Sequence, residues 1–429
     1  MLLGSFRYNA PFCTVGFTLK EQYRMDGTAD RTIGLVGCGH RGIVGFLASF
    51  KDLGLDHHVV ALCDANPTRL DFAHGFLGQG GCAKYVDYAE FLQHPGLDAV
   101  IVATPDYTHR EFVVRAFEAG KDVVCEKPMA TTLEDCRAML EARGEHRLRV
   151  AFNFRYNSLA RRVKDLLTGG TVGPILHVEA RDTVGWEHGS DYFRRWHRLQ
   201  AKSGGLLVHK STHTFDVINW WLDDQPATVS AAARRRFYTP DRQRGERCQA
   251  CEAADQCRFH VDLTEDVPGQ FAGVPHFYER IYLEAEAHDG YRRDVCVFHR
   301  DNNVPDTYLV RVAYGAGALL NYSALFYAPY EDRTFVLQGA TGRMEVSKVN
   351  REIILYPDNR AGNREVITVP EEPGGHGGAD LNLVRSLVAD KPIDEQCATA
   401  EDGYWSLAVG ACANRSIRQD GVPVEVPAP

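Results

Sequence analysis

A Gly-x-Gly-x-x-Gly hexapeptide, set between a short apolar run and a helical stretch, constrains this chain more than any other feature. Residues 32–36 (TIGLV) form a continuous apolar run, as a strand buried on both faces requires. Gly37-Cys38-Gly39-His40-Arg41-Gly42 follows, and 42–53 reads as a helix. In that context Gly37 permits the tight turn, Gly39 lets backbone approach a pyrophosphate, and Gly42 allows close helix–strand packing. The helix start then turns unpaired N–H groups and a positive dipole end toward the phosphates. Asp64 ends the next apolar run, 22 residues after Gly42, where a carboxylate accepts hydrogen bonds from an adenosine ribose and repels a 2′-phosphate. These residues predict a dinucleotide site that favours NAD over NADP.

The surrounding pattern agrees. Strand-like runs at 58–64, 98–103, 122–125 and 149–152 alternate with helical stretches at 110–119 and 132–143, which predicts a doubly wound parallel sheet. Farther on, runs at 175–183, 227–237, 307–312, 319–325 and 334–338 follow one another with few long helical patterns between them. They predict a second, α+β half with a large, open, mainly antiparallel sheet. Helices are expected at 380–389 and 401–416. The organisation expected is an extension over 1–30, with Met25 an alternative start; a dinucleotide-binding domain over 31–152; a substrate domain over 153–400 with an insertion near 239–273; and a terminal helix and tail over 401–429. A net charge of −9 argues against nucleic acid or anionic lipid as a partner. No apolar run is long enough to span a membrane, and the first residues lack a secretory pattern. A cytoplasmic location is expected, with Cys38, Cys63, Cys125 and Cys136 as buried free thiols.

Glu126-Lys127-Pro128 follows the run at 122–125, and Thr104-Pro105, with His109, follows the run at 98–103. With GCGHRG, Phe154-Arg155-Tyr156, Gly204-Gly205 and the late segment Gly339-Ala340-Thr341-Gly342-Arg343-Met344-Glu345, this set resembles the Gfo/Idh/MocA oxidoreductases (glucose–fructose oxidoreductase, inositol dehydrogenase and relatives). The resemblance runs from residue 32 to the C-terminus. It implies that Lys127 reaches cofactor and substrate beside the nicotinamide, that Thr104, Pro105, His109 and Glu126 line the cofactor, and that His213 is the catalytic histidine. It also implies pairing of subunits through the open sheet, and so a homo-oligomer.

One position departs from that pattern. Many relatives carry aspartate four residues before the catalytic histidine, and here His209 stands there. On a continuous helix His209 and His213 share a face one turn apart. Three readings stay open: His213 as acid/base with His209 and Lys127 orienting substrate, a metal held by the histidine pair, or His209 as a packed residue. Lys210 and Asp216 are candidates to join the site. Asp191-Tyr192-Phe193-Arg194-Arg195-Trp196-His197-Arg198 is dense in donors and aromatic rings, which suits sugar hydroxyls and C–H faces. Arg195, Trp196, His197 and Tyr156 are therefore candidate substrate contacts. His376, flanked by glycines in GGHGG, is another.

Cys248-x2-Cys251-x5-Cys257-x2-His260 lies in the charged insertion. Its spacing predicts a closed, structural zinc site, with Cys296 an alternative fourth ligand. A redox disulfide, an iron–sulfur cluster and a metal-free loop are the competing readings. The function expected is NAD-dependent oxidation of a secondary alcohol on a sugar, cyclitol or related polyol, or its reversal. One alternative is a glycosidase or lyase that passes through a transient keto-sugar and elimination, using NAD without net redox. A second is a non-catalytic dinucleotide-binding protein, against which the presence of Lys127 and His213 argues.

Overall fold

The computed structural model describes residues 31–429 apart from 79, 266–273, 361 and 389–395. The expected extension over 1–30, Met25 included, lies outside the described residues.

Strands β1 (Ile33–Val36), β2 (Val59–Cys63), β3 (Ala83–Tyr85), β4 (Ala99–Val102), β5 (Asp122–Cys125) and β6 (Leu148–Val150) form a parallel sheet in the order 6-5-4-1-2-3. β1 and β4 are buried along their whole length, because apolar layers cover both faces of the sheet. The strand order reverses between β1 and β4, which opens a crevice at their carboxyl ends. The helix after β1 differs from expectation. It begins as a wide π-type coil over Gly42–Leu47 and becomes α-helical over Ala48–Asp52.

β7 (Ile175–Gly185), β8 (Pro226–Arg234), β9 (Thr307–Tyr314), β10 (Leu319–Ala328), β11 (Asp332–Gly339), β12 (Arg343–Ser347), β13 (Glu352–Tyr356) and β14 (Glu365–Thr368) build the second sheet. β15 (Ala398–Thr399) adds antiparallel to β6 of the first sheet, and β16 (Val424–Glu425) to β8 of the second. The second sheet runs 14-13-12-11-7-10-9-8-16, and every pair in it is antiparallel except β10 with β7. β10 alternates with period two: Leu320, Tyr322, Ala324 and Phe326 face the core, while Leu319 and Asn321 face out. β12, β13 and β14 were not anticipated in the sequence, being short and separated only by turns.

Helix Ala400–Arg418 fastens the two halves together. A capping box between Thr399 and Asp402 starts it. Tyr404 and Leu407 then enter a core against the first sheet, and Val409 and Ala413 enter the core of the second. The buried pair Arg155–Asp216, at 2.7 Å, ties the turn Asn153–Tyr156 between the two halves to helix Thr212–Leu222. Asp216 thus serves this joint rather than the cleft. Among the described residues no helix is long and apolar enough to cross a membrane.

Candidate active site

The crevice above β1 and β4 opens into a cavity of about 1000 Å³ that reaches from the glycine loop to the second sheet's helices. Gly37 takes φ +95°, and a Cβ there would stand 2.6 Å from the Ala103 carbonyl, so the turn admits only glycine. A Cβ on Gly42 would meet the Gly37 oxygen at 2.1 Å. Gly39 is different: a Cβ there meets no protein atom within 4 Å. The space over Gly39 is open, at the mouth of a helix, as a bound pyrophosphate requires. Asp64 lines the same cavity, held by N–H donation from Cys38 and Asn66, each at 2.8 Å. These residues fit a dinucleotide. Cys38, by contrast, is fully buried under the loop with its N–H committed to Asp64, so it serves the site by holding that carboxylate and does not line the cavity.

The loops after β4 and β5 carry the next group. Thr104, Pro105, Glu126 and Lys127 all line the cavity. Arg41 spans Glu126 and Asp380, and so locks the glycine loop to the neighbouring elements. His109 does not reach the cavity. It is buried, its ring nitrogens 2.9 Å from the carbonyls of Pro128 and Thr104, where it braces the two loops against each other. Lys127 Nζ donates to the His209 carbonyl at 3.3 Å, and burial lowers its pKa from the usual lysine value.

The expected continuous helix through His209 and His213 is broken. Leu206–His209 forms one turn, Lys210 and Ser211 interrupt it, and Thr212–Leu222 begins anew. A carboxylate partner for this region exists all the same. Asp106, in the loop after β4, lies with Oδ2 2.6 Å from His209 Nδ1. The pairing is made to His209 rather than His213, and from the other half of the chain. Burial pushes Asp106 up to about 7 and His209 well below the usual histidine range. Burial thus disfavours charge on both partners of this short bond.

His213 lines the cavity with its Nδ1 buried and without a hydrogen-bond partner. Burial, then the nearby Lys127, hold its pKa well below the usual value, so the ring is neutral around pH 7. Lys210 lines the same space, and burial brings its ammonium down to about 7. Arg195, Trp196, His197 and His376 line the cavity as well. His197 lies tilted against Trp196 and His209, at ring-centroid distances of 3.9 and 4.0 Å. His376, at φ +54°, is oriented by Asp380 at 2.6 Å. Tyr156 is a correction: it is buried in the core beside the first sheet, and its hydroxyl meets Ser386 Oγ at 3.0 Å, outside the cavity.

The zinc expectation is also corrected. Among the described residues no three His, Cys, Asp or Glu side chains are grouped to hold a metal ion. Cys257 and Cys296 pack against the apolar core of the second sheet. Cys248 accepts from Arg194 Nη1 at 3.6 Å, and its thiol is pushed up by burial. Cys251 is half-buried beside Gly245, and His260 is exposed. Ion pairs fasten this insertion: Arg247 pairs with Glu286 and with the buried Asp294, each at 2.8 Å.

Comparison with known proteins fits this geometry. Residues 31–154 match the family model described as oxidoreductase family, NAD-binding Rossmann fold, and 164–426 match its C-terminal alpha/beta domain. The chain belongs to the Gfo/Idh/MocA oxidoreductase family. A Bacillus subtilis protein named as an oxidoreductase, YteT, is 34% identical over 357 residues, 77% of this chain and 82% of its own length. Inositol 2-dehydrogenase 3 of Saccharopolyspora erythraea is 32% identical over 183 residues, 42% of this chain and 50% of that protein. Among solved structures, levoglucosan dehydrogenase in complex with NADH superposes with a TM-score of 0.68 at 20% identity, over 93% of this chain and 100% of that one. Beyond the residues read from the sequence, the structure adds Asp106 and an aromatic wall of Tyr282 and Tyr291, while the candidate Lys210 takes its place in the cavity. Asp106 was within reach of the sequence, since it directly follows Thr104-Pro105; the tyrosine wall carries no local signal.

Proposed function

We propose that this oxidoreductase transfers hydride between NAD and a secondary alcohol carbon of a sugar, cyclitol or related polyol. The convergence of Lys127, His213 and Lys210 on the cavity that begins at the glycine loop carries this reading. When bound, NAD supplies the hydride acceptor or donor at its nicotinamide. The chain supplies the proton path and the charge. Lys127, on the loop after β5, stabilises an alkoxide developing on the substrate oxygen. His213, neutral and lining the cavity, accepts the hydroxyl proton or returns it in reduction. His209 is a positioning residue: its bond to Asp106 clamps the β4 loop to the second half, and its carbonyl holds the Lys127 ammonium. Arg195, Trp196, His197 and His376 offer donors and ring faces to the substrate.

Asp64 supports a preference for NAD over NADP, because a 2′-phosphate would meet its carboxylate. Pairing of two chains through the outer face of the second sheet is part of the same reading. That face exposes Leu309 and Leu319.

The test is to incubate purified protein with sugars, cyclitols and glycosides, with and without added NAD, following NADH absorbance and product identity together. Ketone formation with matching NADH supports the proposal. Glycoside cleavage with no net NADH replaces it by the redox-neutral route, and absence of both with NAD bound replaces it by a binding protein.

A further inference from the structure

The insertion between β8 and β9 continues past the cysteines and folds back onto the first sheet. Its coil Glu279–Glu284 packs on helix Pro67–Leu77, and Tyr282 of that coil and Asp289 of the turn Glu286–Asp289 line the dinucleotide cavity. Phe277 packs edge-on against Phe72, from the helix after β2, with ring centroids 5.5 Å apart; it also contacts His40 of the glycine loop at 5.8 Å. Ile281 and Tyr282 are buried in the same apolar layer as Ile43 and Phe46. Polar contacts fix the register. Asn66 Nδ2 donates to the Ala285 carbonyl at 2.9 Å, and Arg69 Nε donates to the Ile281 carbonyl at 3.0 Å. Arg69 also pairs with Asp289. Asn66 is the residue whose backbone holds Asp64, so this segment is anchored on the ribose end of the site.

The cavity consequently has two walls. Gly37, Gly39 and Asp64 form one, and Tyr282, Asp289 and Tyr291 form the other. An open Rossmann crevice leaves one side of its dinucleotide to solvent; here a second wall stands on that side.

We infer that the segment 277–291 is the outer wall of the NAD site, and that it makes NAD a slowly exchanging, resident group. Release requires parting an apolar contact and several hydrogen bonds at once, a local opening of the fold. A barrier of that kind acts chiefly on the off-rate.

The inference rests on the crevice taking NAD, and its test needs no substrate. NADH is bound to the full-length protein and chased with excess NAD while its fluorescence is followed. Wild type should release NADH over minutes. Phe277→Ala should release it at least about tenfold faster. Asp289→Asn, which keeps the size of a partly exposed side chain and removes its charge from Arg69, should shift the rate in the same direction by less, and it carries the test if Phe277→Ala does not fold. Wild-type release complete within about a second, or folded variants releasing at the wild-type rate, overturns the inference alone. Failure of wild type to bind NADH at all overturns the cofactor reading and this inference with it.

Discussion

The two ends of the cavity bind by different means. At the glycine loop the backbone does the work: three glycines, a helix mouth and one carboxylate held by two N–H groups. At the other end side chains dominate. Lys127, His209, Lys210 and His213 are all desolvated, and all have pKa values displaced downward by burial. Backbone recognition depends on a shape that any side chain would fill. Side-chain chemistry depends on charges kept out of water, where a small change of surroundings moves a proton equilibrium. Substitutions at the first end should therefore abolish binding and leave chemistry untested, whereas those at the second should spare binding and alter rate.

The sharpest division comes from Gly39→Val. The added side chain meets no protein atom at Cβ, so the melting temperature should stay near wild type. It occupies the space over the helix mouth, so NAD affinity should fall by about a hundredfold or more, on the scale of several lost backbone hydrogen bonds. Calorimetric titration and a thermal melt check both halves. Retained affinity would mean that the dinucleotide does not cross Gly39. At the opposite end, Lys127→Ala and His213→Ala should each lower kcat by about a hundredfold or more, the usual loss for an acid–base group. Both should keep NAD binding within a few-fold of wild type. A His213→Ala protein with near-normal turnover removes His213 from the proton path.

How much of this could be read from the sequence follows the same division. The glycine loop, Asp64 and the EKP segment announce themselves, because their roles depend on neighbours within a few residues and on strand–turn–helix context. The site's other end depends on contacts across the chain. His209 and Asp106 are 103 positions apart, and no local pattern joins them. Reading 206–213 as one helix also hid the break at Lys210 and Ser211, since apolar periodicity does not register a single irregular turn. Tyr156 has the composition of a sugar contact and the burial of a core residue, and only packing tells these apart. The cysteine spacing satisfied a ligand rule, yet two of the four thiols face apolar core. Spacing says nothing of direction.

Cofactor choice offers a smaller effect. Asp64→Ser removes the charge that would oppose a 2′-phosphate and keeps a hydroxyl for the ribose. The ratio of NAD to NADP affinity should fall by about tenfold, equivalent to about 1.4 kcal/mol. Measured affinities for both cofactors on the same protein preparation decide it. A wild type that already prefers NADP would show that Asp64 does not face the ribose.

The finest test lies in the pH dependence of the substrate end. Two groups there titrate near neutrality: Lys210 and Asp106, each brought to about 7 by burial. His213 is neutral throughout this range, because its pKa lies well below the usual value. Lys210 feels Glu331 and Asp182, which favour its ammonium, and Arg333 and Lys127, which oppose it. Below about pH 7 the ammonium has no site for a substrate proton, and above it the free amine does. Alcohol oxidation should accordingly rise with pH through about 7, and carbonyl reduction should fall over the same interval. Lys210→Met should flatten that limb, with a change of about threefold to tenfold in kcat at its low-pH end, the lower range for a group assisting proton transfer. NAD binding should not change, since Lys210 stands at the far end of the cavity. If the limb survives intact in Lys210→Met and vanishes in Asp106→Asn, the titrating group is the carboxylate beside His209. The proton relay then runs through the clamp between the two halves and not through Lys210.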